Sequence, residues 1–503
     1  MKYTINILFF LFSFIVTSQN QSNFWYFGNN AGLDFSSGSP TAIFNGQITF
    51  PTGQSHNEGT SCISDSSGSL LFYTDGVTVW NKNHLIMLNG SNLLGNFSST
   101  QSSIIVPSPN NPDRYFYVFT VSSLMGAVVN SNPEDGLNYS IIDMCLDSNL
   151  GGVIDTAKNK KLMDTVAEKI AVTRHSNGID YWILTHKFYS NDFYAFKLTS
   201  NGITDTIITA IGSSHTGSTL GVQGQLKFSP NGSKVAIAAS NGLNLLELFD
   251  FDNSTGILSN FKPLLKPNND RASIYGVEFS PDNSKLYASG ITSFGVLNPF
   301  LVQYDLNAAG GTLSAINSSI YEVYRITGPC ILSGRGLQLG IDNKIYWVSI
   351  NISNPNGTLA SINNPNVLGA GCNYQDQAVS LGGRIGSFTL PSFIAGIDYS
   401  NKMINCDINE IPVLEEVTLK LPNVFTPNND GINDFFIPVE LIGINDFEIT
   451  IYNRWGNLVY ESVNKLYWDG KYKGKDCSEG VYFWVIRTNE EVKIKKGSVS
   501  IFR

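Results

Sequence analysis

A chain of 503 residues is too long to bury one compact core, so two to three domains, or one large repeat domain with a smaller companion, are expected. A formal net charge of −9, with no basic cluster before the last strand, argues against nucleic acid as a partner. Forty-six glycines, 12% aromatic and only 15% charged residues describe many short strands joined by turns, with little room for helix.

The chain begins with Lys2, an apolar run from Ile5 to Val16, and the small residues Thr17 and Ser18 before Gln19. This pattern predicts a secretory signal peptide over residues 1–18, too short for a membrane span. No second apolar run of about 18 residues follows, so no transmembrane span is expected in the mature protein.

From Gln21 to Asp398 the pattern is a repeat, clearest in its middle. Leu226-Lys227-Phe228 leads through the turn Ser229-Pro230-Asn231-Gly232-Ser233 to the apolar run Val235–Ala239. Val277-Glu278-Phe279 leads through Ser280-Pro281-Asp282-Asn283-Ser284 to Leu286-Tyr287-Ala288, with Phe279 lying 51 residues after Phe228. Downstream, Leu246–Asp250 answers to Leu301–Asp305, and Gly256–Ser259 to Gly311–Ser314. Four short strands per unit at this period predict a β-propeller blade, because one such sheet cannot bury its apolar face and neighbours around an axis can. Weaker copies begin at Cys62, Ile104, Ala171 and Leu337, which makes six blades. The seventh is expected to close from both ends, Phe24–Phe27 with Leu33–Phe35 on one side and Phe388–Leu390 with Phe393–Ala395 on the other. A helical period has its best opportunity between Asp143 and Ile170. The domain is placed at 21–398 and a linker, rich in Asn and poor in large apolar residues, at 399–418.

Candidate chemistry is sparse. His56 and Glu58 stand before an innermost strand, as do Gln101 before Ile104, and Gln223 and Gln225 before Phe228. First strands of propeller blades line the central channel, so these five residues are candidate ligand-binding groups, although polar side chains also line water-filled channels. His84, His175, His186 and His215 lack metal-ligand spacing, and no HExxH, phosphate loop, dinucleotide fingerprint or nucleophile elbow occurs, so no catalytic residue, metal or cofactor is expected. Trp80, Tyr115, Tyr117, Tyr181, Trp182, Tyr346 and Trp347 suit packing between blades better than stacking on sugars. The cysteines Cys62, Cys145, Cys330, Cys372, Cys406 and Cys477 are even in number in an exported chain, so disulfides are allowed, with the connectivity open.

The last stretch, 419–503, alternates strands and turns as a small immunoglobulin-like β-sandwich does. It opens with Pro422, Asn423, Phe425, Thr426, Pro427, Asn428, Asp430, Gly431, Asn433 and Asp434, and continues through Asn453-Arg454-Trp455-Gly456, Trp468-Asp469-Gly470, and Gly480 with Tyr482. The oxygens from Asn428 to Asp434 are spaced loosely like a calcium loop, but without its terminal bidentate Glu they are expected to form Asx turns. These motifs, in this order, resemble the gliding-motility-associated C-terminal domain of Bacteroidetes proteins, the type B sorting domain of type IX secretion. Cys477 departs from the small or polar residues usual at its turn. The N-terminal region is similar to propellers that accompany such domains, through Trp25–Phe35, Leu70–Asn81 and the two Phe-Ser-Pro repeats. The resemblance implies a cargo recognised by the type IX machinery and then secreted or held at the outer cell surface. An all-β, exported propeller acting as a binding module for a glycan or protein ligand is the expected function. The alternatives are a secreted propeller hydrolase or lyase acting on polysaccharide or a lactone, and a structural component of a gliding or adhesion surface.

Overall fold

The computed structural model describes residues 20–52, 54, 56–123, 135–215, 222–240, 243–267, 272–293, 297–325, 335–348, 357–396, 406, 418–442, 447–488 and 494–503. The expected signal peptide, most of the expected linker, and Cys330 lie outside the described residues. The chain divides into two compact units, Met1–Asn409 and Glu410–Arg503. No described helix is long and apolar enough to cross a membrane.

The first unit contains seven sheets in chain order, spanning residues 24–43, 61–81, 103–163, 166–210, 226–263, 272–325 and 337–380. Four of them are four-stranded antiparallel meanders, the first two have three strands and the third has five. Their first strands adjoin one another in succession, which sets the sheets radially around a channel as the seven blades of a propeller. Apolar residues on facing sheets fill the space between blades. Trp182, Phe228 and Phe251 pack between the fourth and fifth blades, and Ala236, Leu248, Val277 and Phe279 between the fifth and sixth. Tyr115, Tyr117, Tyr181, Trp182, Tyr346 and Trp347 are buried and so serve this packing.

The two clear repeats show the same local chemistry. Ser229 Oγ contacts Asn231 Oδ1 at 2.8 Å and accepts the Lys234 N–H at 2.9 Å; Ser280 Oγ contacts Asp282 at 2.7 Å and accepts the Lys285 N–H at 2.8 Å. The left-handed position of each turn falls to Gly232 (φ 69°) and Asn283 (φ 64°), residue types that tolerate it. Equivalent ion pairs follow, Lys234–Asp250 at 2.7 Å and Lys285–Asp305 at 3.1 Å. The repeat fails at one place. Gly311–Ser314, expected to begin the outer strand of the sixth blade, instead leads into a short helix, Leu313–Ser318, and the outer strand is Tyr321–Arg325. Leu313 and Ile316 on one helical face, with Ile320 just past the helix end, pack on the core beside Tyr304 and Leu306, and this burial overrides the strand pattern. Between Asp143 and Ile170 only the single 3-10 turns Asp147–Asn149 and Asp155–Ala157 are helical.

Closure uses both ends of the unit. The first blade holds Phe24–Phe27, Ala31–Asp34 and Thr41–Ile43. The returning chain runs between the seventh and second blades, where Phe388 O accepts the Gly336 N–H at 2.7 Å and the Ser392 N–H reaches Thr60 O at 2.8 Å. Leu390 and Phe393 pack with Trp25. Pro391 has no N–H, so this return docks by separate bonds instead of adding a regular ladder strand. It continues until the Ala395 N–H bonds Val172 O at 3.0 Å, and at Gly396 it lies so close to Pro230 O that a Cβ would stand 1.5 Å from it.

Beyond the return, Cys406 is joined to Cys145, which follows the third-blade strand Leu137–Asp143. Cys62, Cys372 and Cys477 are buried thiols and behave as small hydrophobes.

The second unit is a five-stranded sheet in the order Val424–Phe425, Ile494–Ile501, Gly480–Thr488, Phe447–Tyr452 and Leu458–Val463, with two short two-stranded ladders. Trp468 is its central core residue, 5.4 Å from the Phe425 ring and 5.2 Å from Tyr482, above Ile449, Ile451, Ile486, Val499 and Ile501.

Because the disulfide spans 261 residues and fastens the chain just past the closing segment, reduction is expected to destabilise the propeller by about 2–5 kcal/mol. Denaturant midpoints with and without reductant measure this, and Cys145→Ser should reproduce the reduced value while becoming insensitive to reductant.

Candidate functional site

An innermost propeller strand is paired on one edge only; its other edge faces the channel and needs partners for its N–H and C=O groups. Two glutamines supply them. Gln101 donates to Leu226 O at 3.1 Å and accepts the Leu226 N–H at 2.8 Å, and Gln225 does the same for Leu337 at 3.2 and 3.0 Å while also accepting the Val277 N–H at 3.2 Å. Both carboxamides are therefore committed to the backbone of other blades. Gln223 is buried, and its carbonyl accepts the Ser240 N–H at 3.0 Å and Lys169 Nζ at 3.4 Å.

The starts of the inner strands meet at one end of the channel. The Gln101 N–H bonds Glu168 O at 3.1 Å, the Gln225 N–H bonds Tyr275 O at 2.7 Å, and the Arg335 N–H bonds Phe388 O at 3.0 Å. This leading mouth gathers His56, Glu58, Glu168, Tyr275 and Arg335. The Tyr275 hydroxyl donates to the Glu58 carboxyl, and the Ser123 hydroxyl donates to Glu168 at 2.6 Å. Arg335 lies over the rings of Tyr275 (5.5 Å) and Phe388 (5.4 Å), and His56 stacks on the other contact ring, Phe388, at 4.7 Å. Burial, reinforced by the neighbouring Glu168, holds the Glu58 carboxyl well above the usual carboxylate range, so it retains its proton near neutrality. Burial and then the Arg335 charge push His56 down, which favours neutral imidazole. Desolvation also lowers the buried Lys169 to about 7; its Nζ donates to Ala238 O at 2.7 Å. The cluster thus holds a neutral acid, a second carboxyl group and a phenol in its buried interior, with His56 and the Arg335 guanidinium partly exposed above them, groups whose chemistry suits hydrogen bonding and proton exchange.

Of the sequence-predicted residues, His56 and Glu58 fall in this cluster, Gln101 and Gln225 clamp strands, and Gln223 contributes its backbone. Glu168, Tyr275 and Arg335 were not singled out by sequence. The signal for the first was a charged pair, Glu168-Lys169, inside the apolar run Val166–Val172; Arg335 carries no comparable one.

The other half of the channel holds a cavity of about 150 Å³ walled by Ile63, Ile105, Val172, Phe228 and Phe393, with Lys227 paired to Glu278 at 3.0 Å. His186 and His215 stack at 3.8 Å in the interior, and burial drives both toward the neutral form. Among the described residues no cluster of three or more metal-ligating side chains occurs. In the second unit, Asn428, Asp430 and Asp434 accept backbone N–H groups from Asp430, Ile432, Asn429 and Gly431 at 2.6–3.1 Å, as Asx turns do.

No curated protein matches the chain. Among solved structures, hydrazine synthase of Kuenenia stuttgartiensis is 13% identical over 70% of this chain and 98% of that one, with a TM-score of 0.40. A putative 6-phosphogluconolactonase from Bacteroides uniformis is 13% identical over 66% and 97%, with a TM-score of 0.35. PorZ of Porphyromonas gingivalis, described as an essential bacterial surface component of the type IX secretion system, is 10% identical over 95% and 70%, with a TM-score of 0.32. None of these likenesses carries an activity to this chain. Residues 419–501 match the family described as the CHU_C type IX secretion signal domain. That segment is the chain's secretion signal domain, and it marks the protein for export by the type IX system, to the outer surface or the medium.

Proposed function

We propose that the exported propeller is a binding module that takes a glycan or protein ligand at the leading mouth of its channel. The observation that supports this reading is the buried Glu58 acid, bonded to Tyr275 beside Glu168 and Arg335, where seven blades converge. Placing two carboxyl groups and a guanidinium out of water is costly, and such clusters are enriched at functional sites. The carboxyl pair also favours one second reading, acid–base turnover of a polysaccharide or lactone, in which Glu58 is the proton donor.

A thermal-shift screen of the purified chain against glycans, metabolites and divalent metals tests the site. A ligand at about 100 times its Kd adds roughly 2.7 kcal/mol of stability. Arg335→Ala and Glu58→Gln are expected to abolish that shift, and Glu58→Gln to abolish turnover if the ligand is also a substrate. A flat screen removes the small-ligand form of the proposal.

Glu58 also makes stability depend on pH. Its folded form keeps a proton that the unfolded chain releases, so stability falls as pH rises from the unfolded carboxylate range toward the raised folded value. Glu58→Gln mimics the protonated acid, and its stability relative to the parent is expected to be about 1–3 kcal/mol greater at pH 8 than at pH 5. Lys169, lowered to about 7, gives the opposite slope above neutrality in both proteins, so the comparison reads Glu58 together with its neighbour Glu168. An equal difference at both pH values in chemical denaturation would show that Glu58 ionises normally.

Deleting residues 419–503 is expected to leave the propeller inside the cell envelope, read by fractionating the producing bacterium. Normal appearance outside the cell would remove the sorting role.

A further inference from the structure

The signature residues of the secretion signal domain divide by burial. Phe425, Trp468 and Tyr482 make the core, and Asn428, Asp430 and Asp434 fold their own loop. Trp455 does neither, for its indole is 80% exposed. The tip that presents it is built: Asn453 Oδ1 accepts the N–H groups of Trp455 and Asn457, each at 3.0 Å, and Gly456 takes the left-handed position at φ 79°. A hairpin that spends an Asx turn and a glycine to hold a tryptophan in water is prepared for a partner.

Beside Trp455 runs a groove of about 300 Å³ lined by Arg454, Tyr472, Lys475, Val481 and Tyr482. Its charged lining residues are Arg454, Lys475 and Asp476. Arg454 and Lys475 are exposed, and among the described residues neither has a carboxylate within ion-pair distance, whereas Asp476 lies 3.7 Å from Arg503. Lys473 sits over the Tyr472 ring at 5.3 Å. Exposed tryptophan, tyrosine and arginine around a cleft are the composition of a binding hot spot, and the unpaired cations select a negatively charged occupant.

We propose that this groove is the surface by which the type IX machinery reads the domain, and that it takes an acidic segment of a partner protein. The inference rests on the signal assignment of residues 419–501 and adds the contact surface and the partner's chemistry. Trp455 inserts against the partner's backbone, and Arg454 and Lys475 pair with its carboxylates.

The test is export of the full chain from the producing bacterium, with the purified variants' melting as a control. Trp455→Ala, and Arg454→Glu combined with Lys475→Glu, are expected to cut the secreted fraction about tenfold while melting stays unchanged. Val463→Ser, at the open end of the same hairpin and 66% exposed, is expected to be exported normally. Should Trp455→Ala melt early, the charge reversal, which touches no core residue, decides alone. Normal export of both groove variants overturns the proposal, while failure of the domain deletion to block export would overturn the signal assignment instead. Loss with Trp455→Ala but none with charge reversal overturns the acidic partner. Binding of the purified chain to phosphatidylglycerol vesicles that the groove variants lose would assign the groove to a lipid surface. Concentration-dependent self-association lost in Trp455→Ala would assign it to a second copy. Either result overturns the proposal.

Discussion

The constraint on which the propeller depends is the unpaired inner edge of each blade. Outer strands meet water, which can satisfy their free groups, but the first strands face a narrow channel where an orphaned N–H or C=O is costly. Leu226 and Leu337 are satisfied by the carboxamides of Gln101 and Gln225, and Val172 and Thr60 by the backbone of the returning chain. These bonds join blades that are not neighbours in sequence. They turn a row of sheets into a ring, and the disulfide from Cys406 to Cys145 fastens the chain where it leaves that ring. Closing segment, glutamine clamps and disulfide therefore address one problem, the open edge of a circular fold.

That solution shapes the chemistry at the leading mouth. With the channel wall knitted by backbone and glutamine bonds, little water remains to solvate Glu58 and Glu168, and the cost of ionising both falls on the pair. Tyr275, Ser123 and Arg335 supply donors and a charge, yet burial still dominates at Glu58. The propeller thereby holds a carboxylic acid in its neutral form, something an exposed glutamate cannot offer. The trailing half of the channel differs in kind: its Lys227–Glu278 pair is an opposite-charge pair that also bonds Gln338 and the Leu339 N–H, and its walls mix apolar residues with polar ones such as Gln101 and Gln338.

Sequence was informative wherever function of the backbone was local. The Ser-Pro-Asn-Gly turn, the alternation of apolar residues and the spacing of Phe228 and Phe279 are short-range properties, and they carried the blade and its repeat. The sixth blade's helix was not legible, because Leu313, Ile316 and Ile320 read as strand or helix alike until the core beneath them is known. The site was legible in the half that precedes recognisable inner strands, His56 and Glu58. Tyr275 and Arg335 join it through a ring closure that brings residues more than 200 positions apart to hydrogen-bonding distance, and no periodicity records such a meeting. Gln101 and Gln225 were legible as polar channel residues but not as clamps, since nothing in a glutamine's neighbours says which distant backbone it will repair.

The secretion signal domain obeys a different logic from the propeller. A small unit has few residues to spare, so most of its signature is needed to fold: Trp468 organises the core, and the Asx loop from Asn428 to Asp434 shapes the opening turn. A signal must also present something that folding does not consume. Residues that satisfy both demands cannot be told apart by sequence, because a buried Trp468 and an exposed Trp455 are equally prominent there. Burial separates them. It leaves Trp455, with Arg454 beside it, as the part of the signature that the core does not consume.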